Sequence, residues 1–127
     1  MRAVDTNVLV RLFVGDNEEQ TRLAEAFVGG GAWVSHLALV ETVWVLESAY
    51  GLSRAETADL VASLLTHKDL VLQESEIISA ALVKVRQFPS LGFSDCMILE
   101  IARRAGHYPL GTFDRNLSRK TDAQLIT

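Results

Sequence analysis

The sequence predicts an α/β domain, with a parallel sheet covered by helices on both faces. Three observations carry that prediction. Short apolar runs such as Ala32–Ser35 and Leu70–Leu72 alternate with longer stretches whose apolar positions recur at helical spacing. Strands that alternate with helices are joined by crossovers, which makes neighbouring strands parallel. The chain has 127 residues, enough for one domain, expected over residues 1–127, to bury most of what its unfolded form exposes.

Each element has a local cause. Ala3-Val4 is a very short apolar run that ends at Asp5. From Thr6, the positions Val8, Leu9, Leu12 and Phe13 keep a helical period until Gly15-Asp16-Asn17 breaks it. A second helix is expected from Glu18 to Val28, with Leu23, Ala24 and Phe27 on one face, and Gly29-Gly30-Gly31 ends it. Ala32-Trp33-Val34-Ser35 reads as a buried strand, and a long apolar helix follows from Leu37 to about Tyr50, where Gly51 stops it.

Ser53-Arg54-Ala55-Glu56 is a capping box. The helix it opens packs through Leu60, Val61, Leu64 and Leu65. Leu70-Val71-Leu72 is a strand, and Glu76 to Phe88 a helix ended by Pro89. Ser94 is expected to cap a helix from Asp95 to Ala105, closed by Gly106. Tyr108 to Thr112 reads as a strand, Asp114 to Leu117 as a short turn or helix, and Leu125-Ile126 as an edge strand.

Composition excludes several classes. At 49% hydrophobic and 22% charged residues, the chain is not intrinsically disordered. A single cysteine, Cys96, rules out an internal disulfide and a thiolate zinc site. His36, His67 and His107 show no zinc spacing. No apolar run approaches the roughly 20 residues of a membrane span. Asp5 stands where the apolar segment of a signal peptide would lie, so the cytoplasm is the expected compartment. The net charge of −4 argues against broad, non-specific nucleic-acid binding. Yet residues 1–100 carry seven bases against fourteen acids, and residues 101–127 five against two. An acidic body with a basic end suits a chain that holds a cation and a phosphate backbone together.

Four acids stand out. Asp5 and Asp114 each end a strand and open a helix, which fits a helix cap as well as a ligand. Asp95 lies in a helix's first turn, with Ile98, Leu99 and Ala102 on its side and Glu100, Arg103 and Arg104 on the expected wet face. Glu41 lies in the most apolar helix, flanked by Leu37 and Val45, with no Lys or Arg within a turn. A carboxylate in such surroundings needs a cation or a hydrogen-bond network. In open parallel sheets the carboxyl ends of the strands form the ligand crevice. Three or four carboxylates gathered there cannot stay ionised together without a counter-ion. Oxygen ligands without sulfur suit Mg²⁺ or Mn²⁺, whose natural chemistry at such a site is phosphodiester hydrolysis. Thr6, Asn7 and Thr112 fit a supporting polar role, although ordinary turn and cap chemistry explains each of them alone. Arg103, Arg104, Arg115 and Arg119 fit contacts to phosphates. Trp33 and Trp44 are expected in the core, which is also the default for Phe13, Phe27, Leu60 and Leu64, whose alternative is a groove for a partner.

The run Asp5-Thr6-Asn7-Val8-Leu9, Glu41 in a long helix, Asp95 with Ile98, Ala102 and Gly106, and Thr112-Phe113-Asp114-Arg115 closely resemble the PIN-domain family. Within it the chain looks like the VapC toxins of bacterial toxin–antitoxin pairs. The resemblance covers essentially the whole chain, and all four acids keep their order and spacing. It implies a three-layer α/β/α fold on a central parallel sheet of four to five strands. It also implies an endoribonuclease dependent on Mg²⁺ or Mn²⁺, with Asp5, Glu41, Asp95 and Asp114 at the metal-binding positions. Thr6, Asn7 and Thr112 match supporting positions, and Asn116 stands where relatives often carry another acid. The implied partners are RNA, a cognate antitoxin and a second copy of the chain.

Three alternatives compete. A non-catalytic PIN-like module would bind RNA or a partner, but such modules tend to lose ligand acids that this chain keeps. A phospho-acceptor signalling domain would want paired acids after the first strand and a late lysine after another. An aspartate-dependent phosphatase would want an acid where Asn7 stands.

Overall fold

Three strands, β1 (Arg2–Ala3), β2 (Ala32–Val34) and β3 (Leu70–Leu72), pair in parallel and in chain order. Their register runs Arg2 to Ala32 to Leu70, and Ala3 to Trp33 to Val71. The computed structural model describes residues 1–127 and divides them into two compact units, Met1–Ser75 and Glu76–Thr127.

In the first unit, α1 (Thr6–Phe13) and α2 (Glu18–Val28) join β1 to β2, and α3 (His36–Ser48) and α4 (Arg54–Leu65) join β2 to β3. Strands laid in chain order put both crossovers on one face when both are right-handed. Accordingly α1 packs on α3 as well as on α2. The Ser53–Glu56 capping box expected from the sequence closes in both directions. Asn17, read only as part of a helix break, caps α2 by accepting from the Gln20 amide, and Ser35, read as the end of a strand, caps α3 by accepting from Ala38. Gly51, at φ +69°, turns the chain out of α3 so that the Leu52 amide reaches the Leu46 carbonyl. Leu9, Val34, Leu39, Leu46 and Val61 fill the interior.

The second unit holds most of α5 (Ser75–Gln87), then α6 (Phe93–Arg104), β4 (Gly111–Thr112), α7 (Arg115–Lys120) and β5 (Gln124–Leu125). Ile78, Val85, Cys96, Met97 and Leu99 are buried there. α6 closes in a Schellman motif: Gly106, at φ +84°, donates to Arg103 O and His107 to Ala102 O.

Three expectations need correcting. The five strands form a three-stranded sheet and a separate parallel β4–β5 pair, not one central sheet. α6 begins at Phe93, and Ser94 does not cap it. Gly92 holds the cap position without a side-chain bond, because the buried Phe93 draws the first turn inward. β4 is shorter than Tyr108–Thr112, because Pro109 has no amide to give a ladder. No helix is long and apolar enough to cross a membrane.

Candidate active site

The register of the first sheet sets up its carboxyl edge. One residue beyond Val4 and Val34, each strand hands the chain to a helix through a capping side chain, Asp5 for α1 and Ser35 for α3. Asp5 Oδ1 accepts from the Val8 amide at 3.3 Å, and Ser35 Oγ from Ala38 at 3.1 Å. Gln73 follows β3, and its Oε1 accepts the His36 amide at 2.8 Å. Packing of α1 on α3 then carries Thr6 to the middle of α3. Its hydroxyl donates to Glu41 Oε2 at 3.2 Å. Glu41 is thus tied to the residue that follows Asp5 in the chain. Asn7 is exposed and opens onto a 300 Å³ groove lined also by Val8, Arg11, Gln20, Leu23 and Phe27.

Glu41 is not immersed in apolar side chains as expected; it is exposed. α3 is apolar around its whole circumference, so sequence neighbours do not mark its buried side. The inward position belongs to Thr42, whose hydroxyl is satisfied by Ala38 O at 2.7 Å. Leu37, Glu41 and Trp44 form the outward stripe. Trp44, expected in the core, is 67% exposed. Helical spacing from Glu41 was the signal that could have found it.

In the second unit, Asp95 is half-buried in the first turn of α6. Asp114 caps α7, with Oδ1 accepting from Leu117 N at 3.0 Å. Thr112 Oγ1 accepts from the Asp114 amide at 3.0 Å, which fixes the turn that presents the aspartate. Asn116 is engaged elsewhere, its Nδ2 donating to Ser90 Oγ at 3.1 Å. The expected wet face of α6 is partly wrong: Glu100 is buried and Ile98 is exposed.

A family model described as the PIN domain matches residues 2–123. The chain belongs to the PIN-domain family. No curated protein matches it. PIN domains are generally nucleases, so the fold is of a nuclease type, and the match takes in both units, including all four acids and the polar residues beside them. In this PIN domain no three His, Cys, Asp or Glu side chains are grouped closely enough to hold a metal ion. The gathered carboxylates expected from the sequence are therefore not found ready-made.

The arginines of this PIN domain divide into two pairs. Arg103 reaches Asp122 at 2.8 Å and Glu100 at 3.6 Å, and Arg104 reaches Glu76 at 2.9 Å. These two tie α6 to α5 and to the turn before β5, and they line a 340 Å³ cleft with Glu76, Ile77 and Ala80. Arg115 and Arg119 lie one turn apart on α7, and both are exposed.

Proposed function

We propose that this PIN domain is an endoribonuclease that hydrolyses RNA phosphodiester bonds with Mg²⁺ or Mn²⁺. We further propose that it acts as the toxin of a toxin–antitoxin pair in the cytoplasm, as a homodimer restrained by a cognate antitoxin. The observation that carries the nuclease reading is the Asp5–Thr6–Glu41 arrangement in a chain of this family. Two carboxylates and a hydroxyl, with no sulfur or imidazole, suit a hard cation. Mg²⁺ keeps most of its waters and takes one or two carboxylates plus substrate phosphates, so it needs no all-protein cage. When bound, the ion would polarise a phosphate oxygen and lower the pKa of a water.

The chain's own groups supply the rest. Thr6 donates a hydrogen bond to Glu41 Oε2 and fixes that carboxylate's orientation. Asp5 is fixed through one oxygen by Val8 N. We assign Asp5 and Glu41, with Asp95 and Asp114 of the second unit, as the acids that serve the reaction. Asp95 is the carboxylate we nominate to help take the proton from the attacking water. Arg115 and Arg119 are exposed cations for the RNA backbone. Thr6 supports Glu41 and Thr112 supports Asp114 through the bonds described, and Asn7 and Asn116 are assigned a supporting polar role beside them.

One observation favours a second reading, a PIN-like module that binds RNA or a partner without cutting it: the lack of a ready-made group of three acids. The same experiment separates the two. Wild-type protein with Mg²⁺ or Mn²⁺ should cut RNA and arrest the growth of bacteria that express it. EDTA or Asp5→Asn should abolish both effects. Binding without cutting by the wild type would leave the module reading.

A further inference from the structure

A second set of side chains, besides Thr6 and Glu41, links α1 to the segment that carries α3. Arg11 lies in the last turn of α1. Its Nη1 donates to Asp16 Oδ1, and its Nη2 donates to the Tyr50 hydroxyl at 3.1 Å. That hydroxyl in turn donates to Asp16 Oδ2 at 3.4 Å, which closes a triangle. Asp16 comes from the turn between α1 and α2, and Tyr50 lies two residues beyond the end of α3.

The triangle differs from an ordinary surface ion pair, which fixes little because solvent screens it and both side chains stay free. The Arg11 side chain is only 21% exposed, and its planar fork is held by a carboxylate and a phenol together. A guanidinium withdrawn that far from water depends on its partners. The Arg11 carbonyl also accepts from the Thr21 hydroxyl of α2 at 3.2 Å. One residue thus joins α1, the turn after it, α2 and the end of α3.

Geometry connects this triangle to the proposed acids. α1 and α3 leave the parallel strands β1 and β2 at the same edge. Along both helices the Thr6–Glu41 link comes first and the Arg11–Tyr50 link later. One link lets a helix pivot about it, whereas links at opposite ends remove that freedom. α1 has eight residues and only Leu9 and Val10 are fully buried, so side-chain links weigh more in setting its rotation. The Thr6 bond to Glu41 is already 3.2 Å long, and a small turn of α1 breaks it.

We propose that Arg11, Asp16 and Tyr50 form a clamp that keeps α1 seated on α3 with the Thr6 hydroxyl on Glu41. All three are positioning residues. Their effect on RNA cleavage rests on the ribonuclease reading, whereas their effect on the Thr6–Glu41 contact does not.

Tyr50→Phe tests the clamp, since it removes the hydroxyl and keeps the ring. Two readouts are taken on the full chain, each well below the melting temperature of the variant. The first is the NMR resonance of the Thr6 methyl group. Glu41→Ala marks where that resonance lies without the contact, and Tyr50→Phe should move it toward that position. The second is single-turnover cleavage at saturating RNA. Tyr50→Phe should slow it about tenfold, within the roughly 100-fold that a 1 Å misplacement brings. In Thr6→Ala protein, Tyr50→Phe should slow cleavage no further, because the bond it guards is already gone. Asp16→Asn should repeat both results.

A Thr6 resonance that stays in place in Tyr50→Phe and Asp16→Asn overturns the clamp. So do losses of rate that multiply with that of Thr6→Ala, which would make the triangle a separate structural support. A moved resonance with an unchanged rate overturns its part in the reaction. A moved resonance in a wild-type protein that cuts no RNA upholds the clamp and overturns the nuclease. Cleavage by the wild type, with neither resonance nor rate changed by Tyr50→Phe, overturns the clamp and leaves the nuclease reading standing.

Discussion

Thr6 is the smallest group on which the proposed chemistry turns, because its hydroxyl holds Glu41 while its backbone continues from Asp5. Thr6→Ala should lower single-turnover RNA cleavage about 10- to 100-fold, the usual effect of removing a group that orients a metal-binding carboxylate. Thr6→Ser should recover most of the rate, and equal rates for all three proteins would remove Thr6 from the reaction. Glu41→Gln should also cut the rate, yet shift stability by no more than about 0.5 kcal/mol, as expected for an exposed substitution. A large change in melting temperature would contradict the exposure seen here. The roles of Asp5 and Asp114 were legible because residue type and position after a strand both favour a cap, and both residues do cap helices. The surroundings of Glu41 were not legible. In a helix apolar on every side, the buried face is chosen by the partner helix, and α1 packs so that Thr42 turns inward.

Helix boundaries followed local chemistry wherever a side chain sets them. Ser53 caps as expected, and Asn17 and Ser35 have the residue type of a cap and serve as one, whereas the start of α6 is set by burial of Phe93, a distant effect that no local motif encodes. Ser53→Ala should cost about 1 kcal/mol, measured by denaturant unfolding, since it removes an N-cap. The Ser53 backbone amide, and less the Ser53 hydroxyl, holds the Glu56 carboxyl below its ordinary range. A carboxyl lowered in the folded state stabilises above its unfolded pKa, and that contribution is lost as pH falls through the folded value. The difference in melting temperature between wild type and Glu56→Gln should therefore be largest near neutrality and vanish in acid. A gap that widened in acid would reverse the assignment. At the head of α3, His36 is buried and its Nε2 has no partner. His36→Leu should raise the melting temperature, because it removes an orphaned polar atom.

Charge is distributed over the molecule in a way the count of bases did not reveal. The basic end predicted from the sequence is real, but Arg103 and Arg104 are committed to Asp122, Glu100 and Glu76. Arg115→Ala with Arg119→Ala should flatten the salt dependence of RNA binding by about 1.4 in logarithmic slope, the value for two phosphates on a single strand. Arg103→Ala should lower stability by up to about 1 kcal/mol and leave that slope unchanged, and a flattened slope with unchanged stability would exchange the two pairs. The α/β class and the approximate positions of all five strands were legible from alternating periods, although Tyr108–Thr112 was drawn too long and Leu125-Ile126 began one residue late. Their division into three and two was not, because strands of two or three residues carry no record of which distant segment they will bond. The parallel order of β1 and β2 has one more consequence. Since α1 and α3 both start where those strands finish, the fractional positive ends of two backbone dipoles lie along one rim. That rim offsets part of the charge of any carboxylate set on it, as Asp5 is, in a unit that carries five bases against eleven acids.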